Sequence, residues 1–115
     1  MSSSLLLPLQ ARALMDQSLD LLIVDIREPD ELHSGVLPGA THAPLSSMSR
    51  WNQTLLDHEG PLLIYCHSGI RSAQLCAWLG EHNFDAVFDL AGGVTRWAKE
   101  GENLVLKDSI QSIFL

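Results

Sequence analysis

The segment Cys66-His67-Ser68-Gly69-Ile70-Arg71-Ser72 gathers a thiol, a glycine, a guanidinium and two hydroxyls within seven residues. It follows the apolar run Leu62-Leu63-Ile64-Tyr65 and precedes a stretch of helical period beginning at Ser72. In an open α/β sheet, ligands bind beyond the carboxyl ends of the strands, so a strand-to-helix loop is the natural place for a nucleophile. A loop that curls into a helix aims successive backbone N–H groups inward, and Gly69 supplies the freedom that such a curl requires. The helix amino terminus adds partial positive charge, so the loop favours an anion at its centre without any basic side chain. If that anion is the Cys66 sulfur, the loop holds a reactive thiolate. Arg71 closes the segment with a permanent cation whose planar fork suits an oxyanion. A buried cysteine at a strand end is often only a small hydrophobe. Here the glycine, the arginine and the strand-to-helix setting favour chemistry instead.

The elements needed to position this loop are readable along the chain. Leu21-Leu22-Ile23-Val24 and Leu62-Leu63-Ile64-Tyr65 are short and nearly uninterrupted, as expected of strands covered on both faces. Ala86 to Leu90 forms a third strand candidate leading into Ala91-Gly92-Gly93, and Thr41 to Ala43 a fourth, after the turn Leu37-Pro38-Gly39-Ala40. Helical segments are predicted at Leu9 to Met15, Glu28 to Ser34, Ser46 to His58, Ser72 to His82 and Val94 to Glu100. Pro8, Gly35 and Gly101 stand where helices start or stop. This alternation predicts an α/β domain with helices on both faces of its sheet.

A chain of 115 residues, 46% hydrophobic, suits one domain spanning 1–115, with no linker or repeat dividing it. Its formal net charge is -7, and no basic cluster appears. That excludes nucleic acid and anionic membrane surfaces as expected partners, because both require concentrated cations. The amino-terminal stretch lacks a basic lead and a long apolar run, which gives a cytoplasmic expectation. Two cysteines make no disulfide framework, and the histidines at 33, 42, 58, 67 and 82 lack metal-ligand spacing. No metal and no cofactor is expected. Cys76, with Ala73, Ala77 and Gly80, reads as a packed helix face, and Trp51, Trp78 and Trp97 as packing groups. Glu28, Asp30 and Glu31 read as acids favoured at a helix start. The tail 103–115 has apolar residues at Leu104, Leu106, Ile110, Ile113 and Phe114, which suit core covering better than a contact with another chain.

Four segments, in order, resemble the rhodanese family. Leu22-Ile23-Val24-Asp25-Ile26-Arg27-Glu28-Pro29-Asp30-Glu31-Leu32 is similar to its first signature, and Gly35 to Leu45 to its second. The loop Cys66 to Arg71 follows, and Leu90-Ala91-Gly92-Gly93-Val94-Thr95-Arg96-Trp97 resembles the closing element. The resemblance implies a rhodanese-like five-stranded, mainly parallel sheet flanked by helices. It also implies a thiosulfate sulfurtransferase in which Cys66 carries sulfur as a persulfide. His67, Ser68, Gly69, Ile70, Arg71 and Ser72 then form the substrate cradle, and Asp25 and Arg27 a supporting pair near the site.

The implied partners are a small anionic sulfur donor such as thiosulfate and a thiol, a protein or cyanide as acceptor. Val36 departs from the histidine often found there, outside the active loop. Four residues separate Cys66 from Arg71, whereas the related phosphatase and arsenate-reductase loops have five, which ranks phosphatase chemistry below sulfur transfer. His67 is expected to contact substrate rather than act as a base, and Ser68 and Ser72 to donate hydroxyls or to cap the next helix. Competing readings are a rhodanese-like binding module without turnover, and a carrier working between protein donor and acceptor.

Overall fold

In a computed structural model that describes residues 4–114, the strands β1 (Ser4–Leu6), β2 (Leu22–Asp25), β3 (Ala40–His42), β4 (Leu62–Tyr65), β5 (Val87–Leu90) and β6 (Gln111–Ser112) form one sheet. Their order is β1-β5-β4-β2-β3-β6, and every pairing is parallel. The sheet thus has six strands where five were expected. β6 is the addition the tail makes, against Thr41 and His42 of β3, while Leu5 and Leu6 lie beside Asp89 and Leu90 of β5. A tail that adds an edge strand satisfies backbone groups that would otherwise face water or another chain. One antiparallel bridge, Val36 to Val105, ties the tail to the turn before β3.

The helices are α1 (Pro8–Gln17), α2 (Met48–Leu56), α3 (Ile70–Glu81) and α4 (Gly93–Lys99). Glu28 to Ser34 departs from the helix expected: it is a 3₁₀ segment, Pro29–Ser34. Six residues leave few i→i−4 partners, and Gly35, at φ 115, ends the segment.

Alternation along the strands sorts the core into two layers. Val24, Leu62 and Ile64 pack with Trp51 and Leu55 of α2 and with Leu75, Cys76 and Leu79 of α3. Ile23, Leu63 and Tyr65 face the other way, toward Ala11 of α1 and toward Val94 and Trp97 of α4. Because β2 and β4 are covered on both faces, their sequences are continuously apolar. From the tail, Leu104 and Ile110 join the second layer and Ile113 the first, while Leu106 is 78% exposed. Ala73 and Ala77 are exposed, a correction to the expected packed face; α3 buries Ser72, Leu75, Cys76, Leu79 and Gly80 instead. No helix among the described residues is long and apolar enough to cross a membrane.

Candidate active site

β4 ends at Tyr65 on the central part of the sheet, and the chain turns sharply before α3 begins at Ile70. Gly69 occupies the amino-cap position at φ 107, a left-handed conformation that side chains other than glycine rarely adopt. This turn wraps the backbone round Cys66, whose residue is 1% exposed. The Gly69 amide donates to Cys66 Sγ at 3.2 Å, and the Ser72 amide donates to it at 3.4 Å. Ser72 Oγ lies 3.4 Å from the sulfur and also donates to the Gly69 carbonyl at 3.3 Å. The sulfur therefore occupies the acceptor position at the amino end of a twelve-residue helix, where free N–H groups favour negative charge.

The outer wall of the turn is fixed by α4. Val94 N donates to the Cys66 carbonyl at 2.9 Å, and Thr95 N donates to the His67 carbonyl at 3.1 Å. These two bonds turn the carbonyls away from the sulfur. Such close approach needs Gly93, where an added Cβ would stand 2.5 Å from both the Cys66 and the His67 carbonyl oxygens. Gly92 and Gly93 have φ 74 and 62, so the pair makes both the bend and the contact.

The rim residues of the loop point outward. His67 and Ser68 are exposed, Ile70 is 71% exposed, and His67 Nε2 lies 3.3 Å from Thr95 Oγ1. Two open depressions flank them. One, of about 550 Å³, is lined by Ser68, Gly92, Thr95, Arg96, Lys99 and Glu100. The other, of about 380 Å³, is lined by Asp30, Glu31, His33, Ser34 and His67.

Arg71 is already engaged. Its Nη1 and Nη2 donate to the two oxygens of Glu31 at 2.8 and 2.7 Å, the fork-to-fork geometry of a strong ion pair. Hydrogen bonding by Arg71 holds the Glu31 carboxyl down to about 2, from an ordinary 4.5. The same bond, followed by the fields of Glu31 and of Cys66, keeps the Arg71 guanidinium firmly charged. In sequence Glu31 reads only as an acid at a helix start; in the structure it is the anchor of the loop's arginine. Forty residues separate the two, so no local spacing announces the pairing.

Asp25 and Arg27 prepare that anchor from inside. Both side chains are fully buried and pair at 2.7 Å, and Arg27 Nε donates to Asp25 Oδ1 at 3.0 Å. The remaining Arg27 donors reach the carbonyls of Glu31 at 3.1 Å and Gly35 at 2.9 Å. Arg27 thereby clamps the 3₁₀ segment that presents Glu31 to Arg71. The pair acts at one remove: Asp25 sits opposite Tyr65 in the sheet, and neither side chain is bonded to Cys66.

Cys76 lies in the core, and burial raises its thiol far above the ordinary range, with the fields of Asp89 and Cys66 adding to the effect. Among the described residues, amide donors reach the sulfur of Cys66 and not that of Cys76. Among the described residues, no cluster of His, Cys, Asp and Glu has the geometry of a metal site.

The model of the rhodanese-like domain matches residues 7–100. The chain belongs to the rhodanese family. This rhodanese domain is 38% identical over 87 residues to a sulfurtransferase of Allochromatium vinosum, an overlap of 75% of this chain and 79% of that protein. It is 31% identical over 78 residues to the thiosulfate sulfurtransferase GlpE of Coxiella burnetii, covering 68% of this chain and 72% of that one. The solution structure of the polysulfide-sulfur transferase homodimer from Wolinella succinogenes superposes with a TM-score of 0.75 at 26% identity, over 90% of this chain and 78% of that chain. These relatives make the domain a sulfurtransferase in the general sense.

Proposed function

We propose that the protein moves sulfane sulfur by double displacement on Cys66, from a donor such as thiosulfate to cyanide, a thiol or a protein acceptor. The Cys66 thiolate attacks the outer sulfur of the donor; the new S–S bond forms as the sulfur–sulfur bond of thiosulfate breaks, and sulfite leaves with that bond's electron pair. The enzyme then carries a persulfide anion with the charge thiosulfate brought to the transferred sulfur. A thiophilic acceptor takes the outer sulfur and regenerates the thiolate. The observation that carries this reading is the convergence of the Gly69 and Ser72 amides on Cys66 Sγ at 3.2 and 3.4 Å. Backbone donors of this kind stabilise an anion and need no reorganisation during reaction.

The rim residues His67, Ser68 and Ile70 supply the surface that meets donor and acceptor, while Gly69, Arg71 and Ser72 shape the cradle. A specific observation favours a persulfidic donor over thiosulfate: Arg71, the cation of the loop, is neutralised by Glu31, and Asp30 and Glu31 line the adjoining depression. On that side of the mouth a dianion gains little and a persulfide of lower charge loses less, whereas Arg96 and Lys99 line the depression on the other side. Steady-state sulfur transfer to cyanide tests the proposal, with thiosulfate and a low-molecular-weight persulfide compared as donors. Parallel-line kinetics, a lower KM for the persulfide and complete loss of turnover in Cys66→Ser are expected. A folded Cys66→Ser variant with full activity refutes the covalent route.

A further inference from the structure

The strand next to β4 buries a carboxyl group for which the sulfur-transfer cycle has no use. Asp89 is on β5, beside Ile64 of β4, and is 4% exposed. Its Oδ1 is buried without a hydrogen-bond partner among the described residues. It shares its strand face with Val87, whose side chain joins the layer containing Cys66 and Cys76. The groups acting on it from the neighbouring elements are few. α3 contributes the Ser72 hydroxyl, close enough to act on its titration, and the Cys76 thiol, while β1 and β4 place Leu5 and Ile64 opposite it. None of the interactions shifting its titration comes from a lysine, arginine or histidine.

An ionised carboxylate in that position would be a buried charge with no cation bonded to it and one empty oxygen. Burial accordingly raises the Asp89 carboxyl above its usual range, against a smaller opposing effect of Ser72. A neutral carboxylic acid has a different inventory: one O–H donor, with acceptor capacity that is inexpensive to leave unused. Ser72, fully buried, is the hydroxyl within reach, and its Oγ is 3.4 Å from Cys66 Sγ. In the thiol form the Ser72 proton is committed to the Gly69 carbonyl at 3.3 Å, and the sulfur donates to Ser72 Oγ. When the sulfur loses its proton, the hydroxyl is free to turn and donate to it.

We propose that Asp89 is a positioning residue that remains protonated at neutral pH and donates to Ser72 Oγ, so that the Ser72 hydroxyl donates in turn to the Cys66 thiolate. No proton changes owner in this relay; two hydrogen bonds become oriented in series, each polarising the next. Resting on Cys66 as the reactive sulfur, it adds a side-chain donor beneath the two backbone donors.

Two measurements test it without relying on sulfur transfer. Infrared difference spectra at neutral pH, wild type minus Asp89→Asn, should contain the carbonyl band of a protonated carboxylic acid. The rate of Cys66 alkylation by a neutral reagent is then followed across pH. Asp89→Asn, which keeps a donor toward Ser72, should retain the wild-type profile. Asp89→Val and Ser72→Ala should each move the midpoint upward and lower the rate at neutral pH about tenfold, as loss of one hydrogen bond to an anion implies. The double variant should be no slower than either single one.

Absence of the infrared band, a faster Asp89→Asn at neutral pH, or a wild-type profile in Asp89→Val overturns the relay. Loss of sulfur transfer in a protein whose Cys66 keeps its alkylation profile counts against the sulfur-transfer reading and leaves the relay standing.

Discussion

Gly93→Ala offers a sharp test of how the loop is held. The added Cβ would stand 2.5 Å from the carbonyl oxygens of Cys66 and His67 and 2.6 Å from the His67 carbonyl carbon, all of them backbone atoms that cannot rotate away. Relief requires α4 and the loop to separate by roughly 0.5 to 1 Å, since a carbon and an oxygen without a hydrogen bond pack at about 3.3 Å or more. The residue is also at φ 62, which costs an alanine about 1 kcal/mol or somewhat more. Separation weakens the Val94 and Thr95 amide bonds to those carbonyls, each worth about 0.5 to 1.5 kcal/mol.

The expected loss of stability is therefore about 2 to 4 kcal/mol, read as a lower urea midpoint at unchanged slope. In the fraction that remains folded, a displacement of that size at the nucleophile should reduce kcat/KM by about a hundredfold. Gly101→Ala is a matched control, because its added Cβ meets nothing within 4 Å although the residue also has a positive φ of 81. Gly93→Ala with wild-type stability and activity would refute the reasoning that α4 pins the loop through this contact.

Three further outcomes follow from the same geometry. Asp25→Ala leaves the fully buried Arg27 cation without its partner and should lower stability by about 3 to 5 kcal/mol in urea denaturation. Comparing Glu31→Gln with wild type from pH 8 to pH 2 should show a stability advantage of wild type on the order of 1 kcal/mol or less, the pair being partly exposed. Because the folded Glu31 carboxyl lies at about 2, below its ordinary 4.5, that advantage should be constant above about pH 5 and shrink as pH falls toward 2. An advantage that grows in acid would contradict the ion pair. Iodoacetamide under native conditions should modify Cys66, whose sulfur accepts two backbone amides, and spare Cys76, whose thiol is held neutral, whereas both should react in urea; mass spectrometry of the digests reads the difference.

How far the sequence foretold these features depends on whether each signal was local. The central strands β2 and β4 announce themselves as unbroken apolar runs because both faces are covered. The turn at Cys66 was readable for a similar reason: Gly69 and the helix start lie within six residues of the nucleophile. The edge strands were not, since three residues at Ser4–Leu6 and two at Gln111–Ser112 are too short for any period to emerge. The pairing of Glu31 with Arg71 and the burial of Asp89 near Ser72 were equally hidden. Each depends on which strands become neighbours, and the carboxylates look in sequence like ordinary polar residues of a helix start and an alternating strand. Ala73 and Ala77 were misplaced because small residues carry little information about which helix face is covered.

The central claim is that sulfur passes through a covalent state on Cys66, and intact mass tests it most directly. Reduced protein is incubated with thiosulfate or a low-molecular-weight persulfide, weighed, and weighed again after cyanide is added. The account predicts a gain of one sulfur atom, about 32 Da, that persists in Cys76→Ser, is absent from Cys66→Ser and disappears with cyanide. A folded, reduced wild type that gains no mass from either donor, or an adduct that survives in Cys66→Ser, would contradict it.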